Sequence, residues 1–228
     1  MIQRLRRRAI LLLALVFIGG AYTVYADWRD RTPEAALMQI AHAVRTEDRQ
    51  LFDTYVDEDV VLETMYAETV ALLADNIEVL HERHPSDWFF RHDSAFMRDY
   101  MAEHRTEYID VARMVLTYYF DAERVPVTKA EGNARWGSDE LRAFAAHYTV
   151  NTEPAVISGD RAAIVCRVRG DDSDYGRLLP EGSLTMELER QASGHWKLVH
   201  IWTDTAREHG FYSFVDAAER YWELQGWD

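Results

Sequence analysis

The sequence predicts an α+β domain built on an antiparallel sheet of about four strands, and three observations carry that expectation. Apolar residues recur at helical spacing from Pro33 to about Phe120. The period then changes to strand alternation after about residue 147. Two turn signals, Ser158-Gly159-Asp160 and Gln191-Ala192-Ser193-Gly194, join strands into hairpins. With 228 residues the chain can bury one sizeable core.

The elements follow in chain order, and the first is different in kind. Arg4, Arg6, Arg7 and Arg8 precede an uncharged run from Ala9 to Ala26, and the first acid is Asp27. At 1.5 Å per residue that run covers about 27 Å, close to the roughly 30 Å of a hydrocarbon core. The charge asymmetry predicts a single-pass anchor in the cell membrane over residues 9–26. Residues 1–8 form a cytoplasmic tail, 27–31 a connector, and everything beyond lies outside the cytoplasm. A secretory signal peptide shares this design, and cleavage after Ala26 would make the protein secreted. The length of the run and the interfacial positions of Tyr22 and Tyr25 favour the uncleaved anchor.

The whole chain carries a net charge of −14, and without the four arginines 21 basic residues face 39 acidic ones, a balance of −18. Such a surface repels phosphate backbones, which excludes nucleic acid as a partner class. Cys166 is the only cysteine, so there is no disulfide framework. It alternates with Ala162, Ile164 and Val168, which predicts a core position on a strand.

Thr32-Pro33-Glu34 opens a helix with a cap, a proline at the first position and an acid in the first turn. Leu37, Ile40, Ala41 and Val44 give it an apolar stripe, and Leu51, Phe52, Tyr55 and Val56 give a second short helix the same. From Asp57 to about Phe120 the pattern stays helical, interrupted by Pro85 and restarted by a cap at Asp93 or Ser94. Residues 57–135 thus read as a mainly helical insertion. At its end, 121–137 hold Pro126, Gly132 and Gly137 without a sustained period and predict a long loop, after which Ser138 caps a short helix. The strands then follow as a meander, and "YSFVDAAERYWELQGW" predicts a closing amphipathic helix.

Two pieces of this pattern carry a family resemblance. "TPEAALMQIAHAVRTEDRQLFDTYVD" resembles the opening helices of the nuclear-transport-factor-2-like (cystatin-like cone) superfamily, and "SLTMELERQASGHWKLVHIWT" resembles its closing strand pair. The resemblance implies a curved antiparallel sheet wrapped around the N-terminal helices as a cone. Within the superfamily the chain most resembles a membrane-anchored bacterial branch without an assigned activity. The fold hosts enzymes and binding modules alike, so it implies no reaction.

The candidate chemistry centres on "SGHWKLVHIWTD". Strict alternation puts Trp196, Leu198, His200, Trp202 and Asp204 on one face and Lys197, Val199, Ile201 and Thr203 on the other. In a cone cavity His200 could act as a general acid or base, Asp204 as a second titrating group and Trp202 as an apolar ligand-binding wall, with Tyr55 as the helix-borne, ligand-facing hydroxyl that an isomerase-type dyad needs. The competing reading makes His200 a hydrogen-bonded structural residue and Asp204 a cap. His81, His84 and His92 lack metal-binding spacing, "GDDSD" at 170–174 lacks a full calcium-loop pattern, and no cofactor motif is present. Trp88-Phe89-Phe90 reads either as a core plug or as a contact to a bilayer or partner. The function these features predict is an acidic, non-catalytic envelope module that binds a protein partner or small ligand. The alternative is an isomerase- or hydrolase-like enzyme using His200 and Asp204.

Overall fold

The computed structural model describes residues 31–225; the basic tail, the apolar run from Ala9 to Ala26 and most of the connector lie outside them. Among the described residues, no helix is long and apolar enough to cross a membrane. These residues form an α+β structure of seven α-helices and one curved antiparallel sheet.

Helix α1 (Pro33–Thr46) starts where Thr32 accepts a hydrogen bond from the Ala35 amide, with Pro33 in the first turn. Its innermost residues are Ala36 and Ala43, both fully buried, while Ala41 of the expected stripe is exposed. Small residues at the contact bring the helix close to the sheet, and Leu37, Ile40 and Val44 flank them. Helix α2 (Arg49–Tyr55) buries Phe52 against the same core. Ile164, Cys166, Leu188, Trp196 and Leu198 supply the sheet side of this core. Burial pushes the Cys166 thiol up to about 11, which keeps it protonated and unreactive at neutral pH.

Three helices follow: α3 (Glu58–Asp75), α4 (Ile77–Arg83), which stops ahead of Pro85, and α5 (Ser94–Phe120), capped by Asp93. A short 3₁₀ turn, Phe89–Arg91, sits between α4 and α5. The expected loop at 121–137 is instead interrupted by helix α6 (Lys129–Ala145). Thr128 and Glu131 form a capping box that starts it. Gly137, which argued for a loop, lies where α6 crosses α5: a Cβ there would stand 3.2 Å from Val115 Cγ2. Ser138 is no cap but a fully buried helix-interior residue whose hydroxyl accepts from Arg142 at 3.3 Å.

Arg142 ties this region together. Its guanidinium reaches Glu47 at the end of α1 (3.1 Å) and the carbonyls of Tyr118 and Tyr119 at the end of α5 (3.0 and 2.5 Å). Three elements therefore share one cation, which satisfies carbonyls that a helix end leaves unpaired.

The sheet comprises β1 (Tyr148–Thr152), β2 (Val156–Ser158), β3 (Arg161–Gly170), β4 (Glu181–Arg190) and β5 (Trp196–Trp202). The meander runs in the order β1-β3-β4-β5, and β1 and β2 lie end to end along the same edge of β3. The single strand expected from the sequence is split because Pro154 has no amide to donate, and the Ala155 amide turns away to Glu34 on α1 (2.9 Å). Gly159 supplies the positive φ of 62° in the β2–β3 turn.

Helix α7 (Phe211–Gln225) closes the structure. It helps to form a second core in which Phe211 meets Ala74, Ile77, Leu80, Phe90 and Met97 from α3, α4, the 3₁₀ turn and α5.

Candidate functional site

Strand β5 does not keep its alternation. Pairing with β4 slips by one residue, with Leu188 opposite Leu198 but Glu187 opposite His200, so Val199 is an extra residue on β5. This bulge turns His200 and Trp202 to the face of Glu187 and Thr185, away from Trp196 and Leu198. It also returns Ile201 to the core side, where it packs with Met186 and Leu184. The expected single face of Trp196, Leu198, His200 and Trp202 is therefore corrected. The bulge sits where α3 runs along the free edge of β5: the Asp57 amide donates to Leu198 O and Thr64 Oγ1 to Val199 O.

On their new face, His200 Nε2 lies 2.8 Å from Glu68 Oε2 of α3, and its Nδ1 lies 3.8 Å from Glu187 Oε2. The Trp202 indole donates to Glu187 at 3.0 Å, and the Arg207 guanidinium stands 5.2 Å over its ring. Asp204 Oδ1 accepts from the Arg207 amide at 2.6 Å and so closes the turn after β5. Tyr55 stands edge-on to His195, 5.8 Å away, at the opposite end of β5 from Trp202.

Trp202 instead lines an apolar groove of about 570 Å³. The groove lies where the two cores approach without meeting. Met65, Leu184 and Ile201 border it from the first core; Leu72, Phe90 and Phe211 border it from the second. Phe214, Ala218 and Trp222 of α7 form its outer wall. His200, Asp204 and Tyr55 do not line it, so the structure brings only Trp202 of the four sequence candidates to this site.

Three carboxylates enter the groove, Glu68, Asp87 and Glu219, and no lysine or arginine lines it. Asp87 is fixed by the amides of Phe89 and Phe90, at 2.5 and 3.3 Å. Glu219 lines the same groove as Asp87, and the two carboxyls interact. Burial raises the Glu219 carboxyl to about 7, and the charges of Asp87, Glu223 and Asp216 push the same way. Glu219 also borders a second pocket with Arg83, His84 and Arg220, but these cations are engaged elsewhere. Arg83 and His84 both pair with Asp216, and Arg220 donates to the Leu178 carbonyl.

The remaining candidates lie elsewhere. His84 serves Asp216, and His92 stacks on Phe96 with ring centres 3.9 Å apart. In "GDDSD", Asp171 accepts from Ser173 and meets His147 at 2.9 Å, contacts that hold its carboxyl at about 2. The aromatic triplet divides: Phe90 is buried in the second core, Phe89 is half-buried, and Trp88 is exposed beside His92 and Phe96.

Sequence reasoning missed Asp87 and Glu219, though Glu219 left a signal. Phe211, Phe214, Val215, Ala218 and Trp222 recur at helical spacing, and Glu219 borders that stripe at a position where an acid is costly. No family model, curated protein or solved structure matches the chain.

Proposed function

We propose that this chain is a single-pass envelope protein whose extracytoplasmic domain binds a small apolar ligand without catalysis. The observation that carries the reading is the groove beside Trp202: about 570 Å³, walled by aromatic and aliphatic side chains from α3, the 3₁₀ turn, β4, β5 and α7. A cavity of that size suits a molecule of drug-like dimensions, and its few polar groups would orient the ligand.

The arginine-flanked apolar run before Asp27 supports the placement in the cell membrane, with the acidic domain outside. The resemblance to the nuclear-transport-factor-2-like superfamily supports a cone-type scaffold, with the groove at the end of its sheet. A binding role is favoured over the enzymatic alternative because His200 engages Glu68 and Asp204 closes a turn, so the two groups do not converge on one cavity.

The test compares the chain extracted from its native membrane with an Ala218→Trp variant. The added indole occupies the groove from its exposed wall. Small molecules that co-purify are quantified by mass spectrometry after solvent extraction. A species retained by the original chain and lost from the variant is the expected result; identical extracts overturn the reading.

A further inference from the structure

We propose that the ligand of this groove is an amine, with an apolar body against the aromatic walls and an ammonium head seated among Asp87, Glu219 and Glu68. The inference rests on reading the groove as a ligand site and names the chemical class that fits it.

The argument starts from charge. The lining holds three carboxylates and no basic side chain, in a domain that is itself strongly acidic. The protein's own cations nearby are committed elsewhere, Arg83 and His84 to Asp216 and Arg220 to a carbonyl. Glu68 has His200 beside it, and Arg207, which stands over the Trp202 ring, donates to Thr185. Glu219 also borders a second pocket with Arg83, His84 and Arg220, cations already engaged in those contacts. A carboxylate ligand would meet uncompensated negative charge in an apolar setting, which is unfavourable. A neutral ligand would leave the mutual repulsion of Asp87 and Glu219 unrelieved.

An ammonium group changes that arrangement. Asp87 is already held in place by two backbone amides, so it presents its charge without having to reorganise. The ammonium takes its place between the two carboxylates; below about pH 7 it displaces the proton of Glu219 to solvent, and at about pH 8 that carboxyl is already largely ionised. The aromatic walls add a second attraction, because ring faces favour a nearby cation.

Three probes that share one body separate the alternatives: 3-phenylpropylamine, 3-phenylpropanol and 3-phenylpropanoate. They are titrated against the full chain in phosphatidylcholine nanodiscs at pH 8 and followed by saturation-transfer NMR, with empty nanodiscs as the blank. The amine is expected to bind about tenfold more tightly than the alcohol, which corresponds to about 1.4 kcal/mol, with the acid weakest. In the Asp87→Asn/Glu219→Gln double variant the amine should fall to within about twofold of the alcohol. The alcohol should bind that variant unchanged, which shows that the groove is intact. Equal binding of amine and alcohol to the original chain, or preference for the acid, overturns the amine inference and leaves the apolar-ligand reading standing. Binding by none of the three overturns the groove reading, and this inference with it.

Discussion

Glu219 shows how one side chain can tie a site to the stability of the fold. Its ordinary carboxyl value is 4.5 and burial beside Asp87 lifts it to about 7, so between those values the folded chain holds a proton that the unfolded chain releases. Stability from this group is therefore full below about pH 4.5, falls as pH rises through the interval, and stays low above about 7. Glu219→Gln removes the dependence. It should stabilise the protein at pH 8 by on the order of 1 kcal/mol, a figure reduced for solvent screening at this half-buried position, and should have little effect near pH 4.5. Urea denaturation of both proteins at the two pH values measures it; a Gln variant less stable at pH 8 would show that the carboxylate is supported by contacts outweighing its burial. A residue like this is hard to read from sequence because its character comes from burial in the groove and from Asp87, both set by parts far away in the chain. Cys166 is the opposite case, since its alternation with Ala162 and Ile164 already placed it in the core.

Among the elements, α6 teaches the most about what sequence can carry. Two glycines and a proline argued for a loop, yet the pattern Thr128-Lys129-Ala130-Glu131 is a capping box in plain view. The glycines stand for different reasons. Gly137 allows close approach to α5, whereas a Cβ on Gly132 would meet nothing within 4 Å. Gly132→Ala should therefore raise stability by up to about 1 kcal/mol, and Thr128→Ala should lower it by about 1 kcal/mol. Thermal melts of the two variants, read with the helical circular dichroism signal, check both signs. β5 illustrates the other limit. Alternation found the strand and its two tryptophans, but the bulge at Val199 depends on how β4 and α3 meet it, and no local pattern announces that. One inserted residue was enough to place His200 and Trp202 on the wrong face.

At the scale of the molecule, the order of helices, meander and closing helix was legible because each depends on local periodicity. The groove was not, because it arises where two cores stop short of each other. α7 holds that arrangement: Tyr212 donates to Asn76 at 2.9 Å and Tyr221 to Glu140 at 3.0 Å, reaching α4's approach at one end and α6 at the other. Deleting 211–225 should expose the second core while sparing the first. Binding of the dye ANS should rise several-fold, and Cys166 should remain closed to thiol reagents; a labelled Cys166 would mean that the two cores fold as one unit. The split edge of the sheet has a consequence of its own. Val150, Val156 and Ile157 are exposed there, a composition that invites fibril growth by strand addition. An incoming strand would find the five residues of β1, then Pro154 with no amide and Ala155 with its amide already given to Glu34, then the three of β2. Neither piece reaches the six or seven residues that a stable cross-β zipper requires, so a proline and one glutamate protect a sticky margin from amyloid templating.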